Sequence, residues 1–169
     1  MSCQQTSTET SRETTAEDDI LVAIRRIIRA VDLHSRRLAE ASGLTGPQLA
    51  ALKQVARAGT LSAGDLARAM RVGQPTVTGI LERLEKRGLL TRTRSGEDRR
   101  SVLITVTEAG TQVLQSAPPL LQERFRQRLV HLHDWERTMI LAVLQRIAAM
   151  MDVEDLDAAP HLVTGPDRL

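Results

Sequence analysis

The chain has 169 residues, a formal net charge of +2 and one cysteine, Cys3. That length fits one domain with tails. The lone cysteine excludes an intramolecular disulfide and fits a reducing, cytoplasmic setting, and no apolar run is long enough to span a membrane.

Residues 1–16 are rich in Ser, Thr and Glu and are expected to form a disordered tail, and Met1 to Asp19 lacks the apolar core of a secretory signal. Ile20, Leu21, Ile24, Ile27, Ile28 and Val31 then recur at helical spacing, with Arg25, Arg26 and Arg29 opposite. This predicts a long amphipathic helix that ends at Gly43 in a left-handed cap. Thr45 and Gln48 suit a capping box for the next helix, and Leu44 and Leu49 a hydrophobic staple. Leu49, Leu52 and Val55 give that helix its buried stripe, and Gly59 stops it. Ser62 and Asp65, flanked by Leu61 and Leu66, repeat the start signal and open a short helix to Met70. After a turn, Pro75 starts a second helix that Gly88 stops.

Residues 89–94 and 101–106 are rich in Leu, Val, Ile and Thr, which predicts an antiparallel hairpin around Ser95-Gly96-Glu97-Asp98-Arg99-Arg100. Thr107 is placed to cap a further helix with Ala109 and Gly110 in its first turn. Helical spacing continues through Leu114, Leu120, Leu121, Phe125 and Leu129, where Pro118-Pro119 should kink or interrupt it. Asp134 is expected to cap a last helix bearing Met139, Ile140, Val143, Leu144, Ile147, Met150 and Met151. Residues 153–169 read as a fraying tail.

Two short helices in tandem beside a basic hairpin can lay one helix in the DNA major groove while the hairpin reaches the backbone or minor groove. Charge agrees locally: Arg71, Arg83, Lys86, Arg87, Arg92, Arg94, Arg99 and Arg100 outnumber Glu82, Glu85, Glu97 and Asp98. The fold class expected is mainly α (α+β). Residues 45–110 would form a winged helix-turn-helix DNA-binding domain, and 17–44 with 111–152 a helical dimerisation region. Ile20, Leu21, Ile24 and Ile28, with Ile140, Leu144, Ile147 and Met151, carry more apolar surface than a compact five-helix domain needs. Packing against a second copy would bury it, and a larger monomeric core is the alternative.

The run Asp98-Arg99-Arg100-Ser101-Val102-Leu103-Ile104-Thr105-Val106-Thr107-Glu108-Ala109-Gly110, with Leu84-Glu85-Lys86-Arg87-Gly88-Leu89 upstream, resembles the wing signature of MarR-type regulators. The resemblance covers roughly residues 20–151. It implies a homodimeric regulator, repressing by default, on a palindromic double-stranded operator. It also implies that Asp98 braces the wing, that Arg100 with Arg99 enters the minor groove, and that residues 62–70 position a recognition helix at 74–87. Spacing turns Val77, Ile80 or Leu81, and Leu84 to the core of that helix, leaving Gln74, Pro75, Thr76, Thr78, Gly79 and Arg83 toward DNA. Ser62, Arg71 and Arg94 complete the expected DNA-binding set. A narrower resemblance, through His34-Ser35-Arg36-Arg37 and Gly43-Leu44-Thr45-Gly46-Pro47-Gln48-Leu49, is to the branch that represses compatible-solute genes.

Other signals are weaker. Cys3 has no cation or helix start beside it to make a reactive thiolate. His131 and His133 diverge at a spacing of two, and His34 and His161 lack partners at ligand spacing, so no metal and no cofactor is expected. Enzyme motifs such as a phosphate loop or a nucleophile elbow are absent, which leaves a helical enzyme as the alternative from another class. A small-molecule effector of unknown identity could bind between the first and fifth helices near His34 and Arg37. With Phe125 and Trp135 as the only large rings, an aromatic-stacking site is disfavoured.

Overall fold

A computed structural model describes residues 15–94 and 102–153. Its elements are α1 (Ala16–Ser42), α2 (Gly46–Ala58), β1 (Leu61–Ser62), α3 (Ala63–Met70), α4 (Gln74–Lys86), β2 (Leu90–Arg94), β3 (Val102–Val106), α5 (Glu108–Ser116), α6 (Leu121–Val130) and α7 (Asp134–Met150). The described residues are mostly helical with one antiparallel sheet of order β1-β3-β2.

Local chemistry explains most boundaries. Thr15 caps α1, its hydroxyl accepting from the Asp18 N–H at 3.3 Å, so the expected tail gives way to helix at Ala16. Gly43 closes α1 at φ 64, and its N–H donates to the Ala39 carbonyl at 2.7 Å. Gln48 reaches back to accept from the Thr45 N–H at 3.0 Å, and Leu44 and Leu49 are both fully buried, as the box and staple require. Prolines split the next region into two helices: α5 stops at Ser116 and α6 begins at Leu121, with Pro118 and Pro119 between them.

Two boundaries correct the sequence reading. Asp134 is the first residue of α7 and pairs with Arg137, while His133 occupies the cap position, its N–H donating to Glu136 Oε2 at 2.8 Å. Strand β1 was not expected. Leu61 and Ser62 pair with Ile104 and Leu103, adding a third strand beside the hairpin.

The core gathers α2, α3 and α4 against the sheet. Leu49, Leu52, Val55, Leu66, Val77, Leu81, Leu84, Leu90 and Ile104 are buried there, with Leu38 of α1 and Leu120 at the start of α6 docked on it. Glu123 fastens α6 to α2: Lys53 Nζ donates to its Oε2 at 2.6 Å, Arg57 lies 3.8 Å from its Oε1, and Oε2 also accepts from the Leu120 N–H at 3.1 Å. Burial pushes the Glu123 carboxyl up, but Lys53 and the Leu120 N–H outweigh it and hold the group below its ordinary value. A depressed carboxylate stabilises the fold above its unfolded value and loses that contribution as pH falls through the folded one. Glu123→Gln should therefore lower stability at pH 7 by about 1–2 kcal/mol, the scale of a charged hydrogen bond. The difference should vanish well below pH 4, as thermal unfolding of both proteins across pH would show.

The terminal helices look different. Ile20, Leu21, Ile27 and Ile28 of α1 and Trp135, Met139, Leu141, Val143 and Leu144 of α7 are exposed, and no residue of α6 or α7 is buried.

Candidate nucleic-acid interface

The pair α3–α4 is built as a rigid elbow. Ser62 caps α3, its hydroxyl accepting from the Asp65 N–H at 3.1 Å and donating to Asp65 Oδ2 at 2.7 Å. That hydroxyl, first among several contacts, holds the Asp65 carboxyl below its ordinary value. Both roles of the Ser62 hydroxyl are thus occupied inside α3. Arg71 ends the helix in the left-handed region at φ 55, and the Val72 N–H donates back to Ala67 at 3.2 Å. Gly73 takes the cap position of α4 and Pro75 lies in its first turn, where a missing N–H costs nothing. No side chain caps this end, so its first amides stay open to an acceptor such as a phosphate.

Helix α4 is two-faced. Val77, Ile80, Leu81 and Leu84 are buried, whereas Gln74, Pro75, Thr76, Thr78 and Arg83 are exposed and Gly79 is half-buried. Both Ile80 and Leu81 belong to the core, where spacing alone left a choice. The Thr78 hydroxyl donates to the Gln74 carbonyl at 3.0 Å, so its proton is already used. At Gly79 an added Cβ would meet nothing within 4 Å. A mid-helix glycine costs about 1 kcal/mol relative to alanine, and no internal contact explains it here. The same exposed face holds Glu82 and Lys86, one heptad beyond Pro75 and Gly79. Glu82 was missed in the sequence because it was counted only as charge against binding; a carboxylate there can accept from a cytosine amino group.

The hairpin grows directly from this helix. Strands β2 and β3 pair from Leu90↔Val106 to Arg94↔Val102, and the Thr91 and Thr105 hydroxyls meet at 3.0 Å. Thr107 caps α5 through its oxygen, which accepts from the Gly110 N–H at 3.0 Å and donates to the Gly88 carbonyl at 2.7 Å. Gly110 must be glycine: a Cβ would stand 2.2 Å from the Leu89 carbonyl oxygen. Asp98, Arg99 and Arg100, expected at the tip, lie outside the described residues.

The structure redistributes the cations that the sequence placed on one phosphate-facing surface. Arg87 turns to the end of α1, its guanidinium donating to the Gly43 and Ser42 carbonyls. Arg92 pairs with Glu85 at 3.1 Å and ties β2 to α4. Both are therefore structural contacts within the chain. Arg71, Arg83, Lys86 and Arg94 remain exposed, Arg83 and Lys86 on α4 itself.

Elsewhere, half-buried His34 lies against the turn before α6. It donates to the Pro119 carbonyl, its Nε2 has no hydrogen-bond partner among the described residues, and Arg124 and Arg37 face it. Burial first, then the two guanidinium groups, hold the imidazole below its ordinary value and favour the neutral ring. Among the described residues no cluster of His, Cys, Asp and Glu could hold a metal, and no helix is long and apolar enough to cross a membrane.

A short helix, a turn, an exposed polar helix and a hairpin locked to its end define a winged helix-turn-helix DNA-binding protein. The MarR family model matches residues 44–102, from the end of α1 to the first residue of β3. A transcriptional regulator of Mycobacterium bovis is 28% identical over 79% of this chain and 91% of its own length. Among solved structures, BldR of Sulfolobus solfataricus superposes with a TM-score of 0.53 at 27% identity, covering 79% of this chain and 95% of that one. BpsR of Bordetella bronchiseptica, described as regulated in its DNA binding by 6-hydroxynicotinic acid, gives the same TM-score and identity over 77% and 98%. Residues 44–102 are thus a MarR-type domain, and the chain is a DNA-binding transcriptional regulator of that type and not an enzyme.

Proposed function

We propose that the protein is a homodimeric repressor that recognises a palindromic operator through α4 and braces the duplex with its wing. Repression would follow from occlusion, since a dimer spanning two half-sites covers the DNA that a polymerase must use. One observation carries the reading. The outward face of α4 presents exposed Gln74, Pro75, Thr76, Glu82 and Arg83 around half-buried Gly79, a glycine that nothing inside the protein requires. A duplex backbone is an occupant that needs such a bare approach.

The test follows from that glycine. Gly79→Ala should stabilise the isolated protein by up to about 1 kcal/mol while weakening its binding to a selected operator. Higher stability with unchanged affinity would remove α4 from the interface. On the wing, Arg100→Ala should cost operator binding about 1–3 kcal/mol, the scale of one good charged contact, with the fold intact. Gln74→Ala and Thr76→Ala should relax sequence preference more than they lower affinity for random duplex.

The His34 cluster favours a second reading, control by a small acid. A carboxylate entering between Arg37 and Arg124 would meet the unpartnered Nε2 and draw a proton onto the ring. A ring NMR titration of His34 with aromatic and aliphatic acids tests this: a raised pKa together with operator release supports effector control. Release on added potassium salt alone, with no acid response, would favour ionic-strength control of the kind the compatible-solute resemblance implies.

A further inference from the structure

The recognition helix is tied at both of its neighbours. On one side Glu85 holds Arg92 of β2 at 3.1 Å, and Thr107 holds the Gly88 carbonyl at 2.7 Å, so α4 and the hairpin form one piece. On the other side Arg87, the residue that ends α4, sends its guanidinium to the end of α1. One nitrogen donates to the Gly43 carbonyl and the other to Ser42 at 3.5 Å. The last turn of α1 carries no basic residue of its own, so this guanidinium supplies the positive charge that a helix C-terminus favours. The backbone is bare where the group lies: a Cβ on Gly43 would stand 2.8 Å from the Arg87 terminal nitrogen. The fork shape of arginine suits two adjacent carbonyls, whereas a lysine reaches one.

We propose that Arg87 is a positioning residue, fixing the recognition helix against α1 and so setting the half-site spacing that the dimer accepts. The proposal rests on the dimeric reading, in which α1 belongs to the dimerisation region. Holding the two recognition helices at one distance requires that each be rigid relative to that region, and Arg87 spans the joint in each subunit. Its partners are carbonyls that cannot titrate, so the tie is independent of pH.

The experiment is selection from a random duplex library by the wild type, Arg87→Gln and Arg87→Lys, each first checked for thermal stability and sedimentation. Affinities are then measured on the selected inverted repeat and on versions one base pair longer and shorter. The wild type should select one spacing, near ten base pairs between half-site centres. Arg87→Gln should select the same half-site sequence over a broader range of spacings. It should bind the best repeat about three- to ten-fold more weakly, as expected for loss of exposed charged hydrogen bonds. Arg87→Lys should lie between the two.

If Arg87 instead grips a phosphate, its replacement would weaken binding to every duplex alike and reduce the salt slope by about one, with spacing preference unchanged. That result overturns the proposal, and so does a spacing profile identical to wild type. Selection of single, unpaired half-sites by the wild type would refute the dimeric reading and the positioning role with it.

Discussion

Gly110→Ala should unfold or badly loosen the wing despite adding a single methyl group. The new Cβ would lie 2.2 Å from the Leu89 carbonyl oxygen and 2.6 Å from Val106 Cγ1. The first of these is backbone, and the same carbonyl already accepts from the Thr107 N–H at 3.1 Å, so displacing it strains that bond. Relief requires α5 to move off the hairpin, which breaks the Thr107 bridge to Gly88 and uncouples the wing from α4. Overpacking of this kind costs about 3 kcal/mol or more, roughly 6–12 °C in a chain of this size. Thermal unfolding checks it. A melting point within about 1 °C of wild type would show that α5 does not close on Leu89 as described. Gly79→Ala is the matched control, since its added methyl meets nothing.

Leu144→Asp should abolish the dimer and, with it, tight operator binding. Leu144 is 48% exposed in the single chain, with Ile20, Leu21, Ile28 and Met151 at comparable values and Ile24, Ile140 and Ile147 half-buried. A monomeric protein rarely exposes so many large apolar groups on two helices. In the proposed dimer they form the seam, and an aspartate there would be an unpaired buried charge. Sedimentation should then report monomers or aggregates, and operator affinity should drop by about a hundred-fold or more as binding falls back to one half-site. Gln145→Asp, one residue along on a polar position, should leave both unchanged. A wild-type protein that sediments as a monomer at micromolar concentration contradicts the seam.

The sequence made the winged helix legible because its boundary chemistry is local. Thr45 with Gln48, Ser62 with Asp65, and Thr107 with Gly110 are each three residues apart, and each closes a hydrogen bond that the pattern alone foretold. The core face of α4 was legible for the same reason, since helical spacing sorts Val77 and Leu84 inward without knowledge of the partner. Contacts between distant segments were not legible. Strand β1 has two residues and no period, and it exists because Ile104 and Leu103 offer it an edge. Arg87 and Arg92 looked like two more cations of a phosphate face until the fold brought Gly43 and Glu85 beside them. The place of Asp134 was misread because aspartate serves the first helical turn as well as the cap, and only the backbone of His133 decides between them.

Footprinting on the DNA flanking the protein's own gene tests the central claim most directly. A dimer that reads each half-site with α4 should protect two patches on one face of the duplex, about ten base pairs apart, over an inverted repeat. Protection should persist in excess random duplex and fade with Gln74→Ala. Uniform coating without a repeat, or protection that random duplex removes as readily as the flanking sequence, would contradict sequence-specific recognition by this helix.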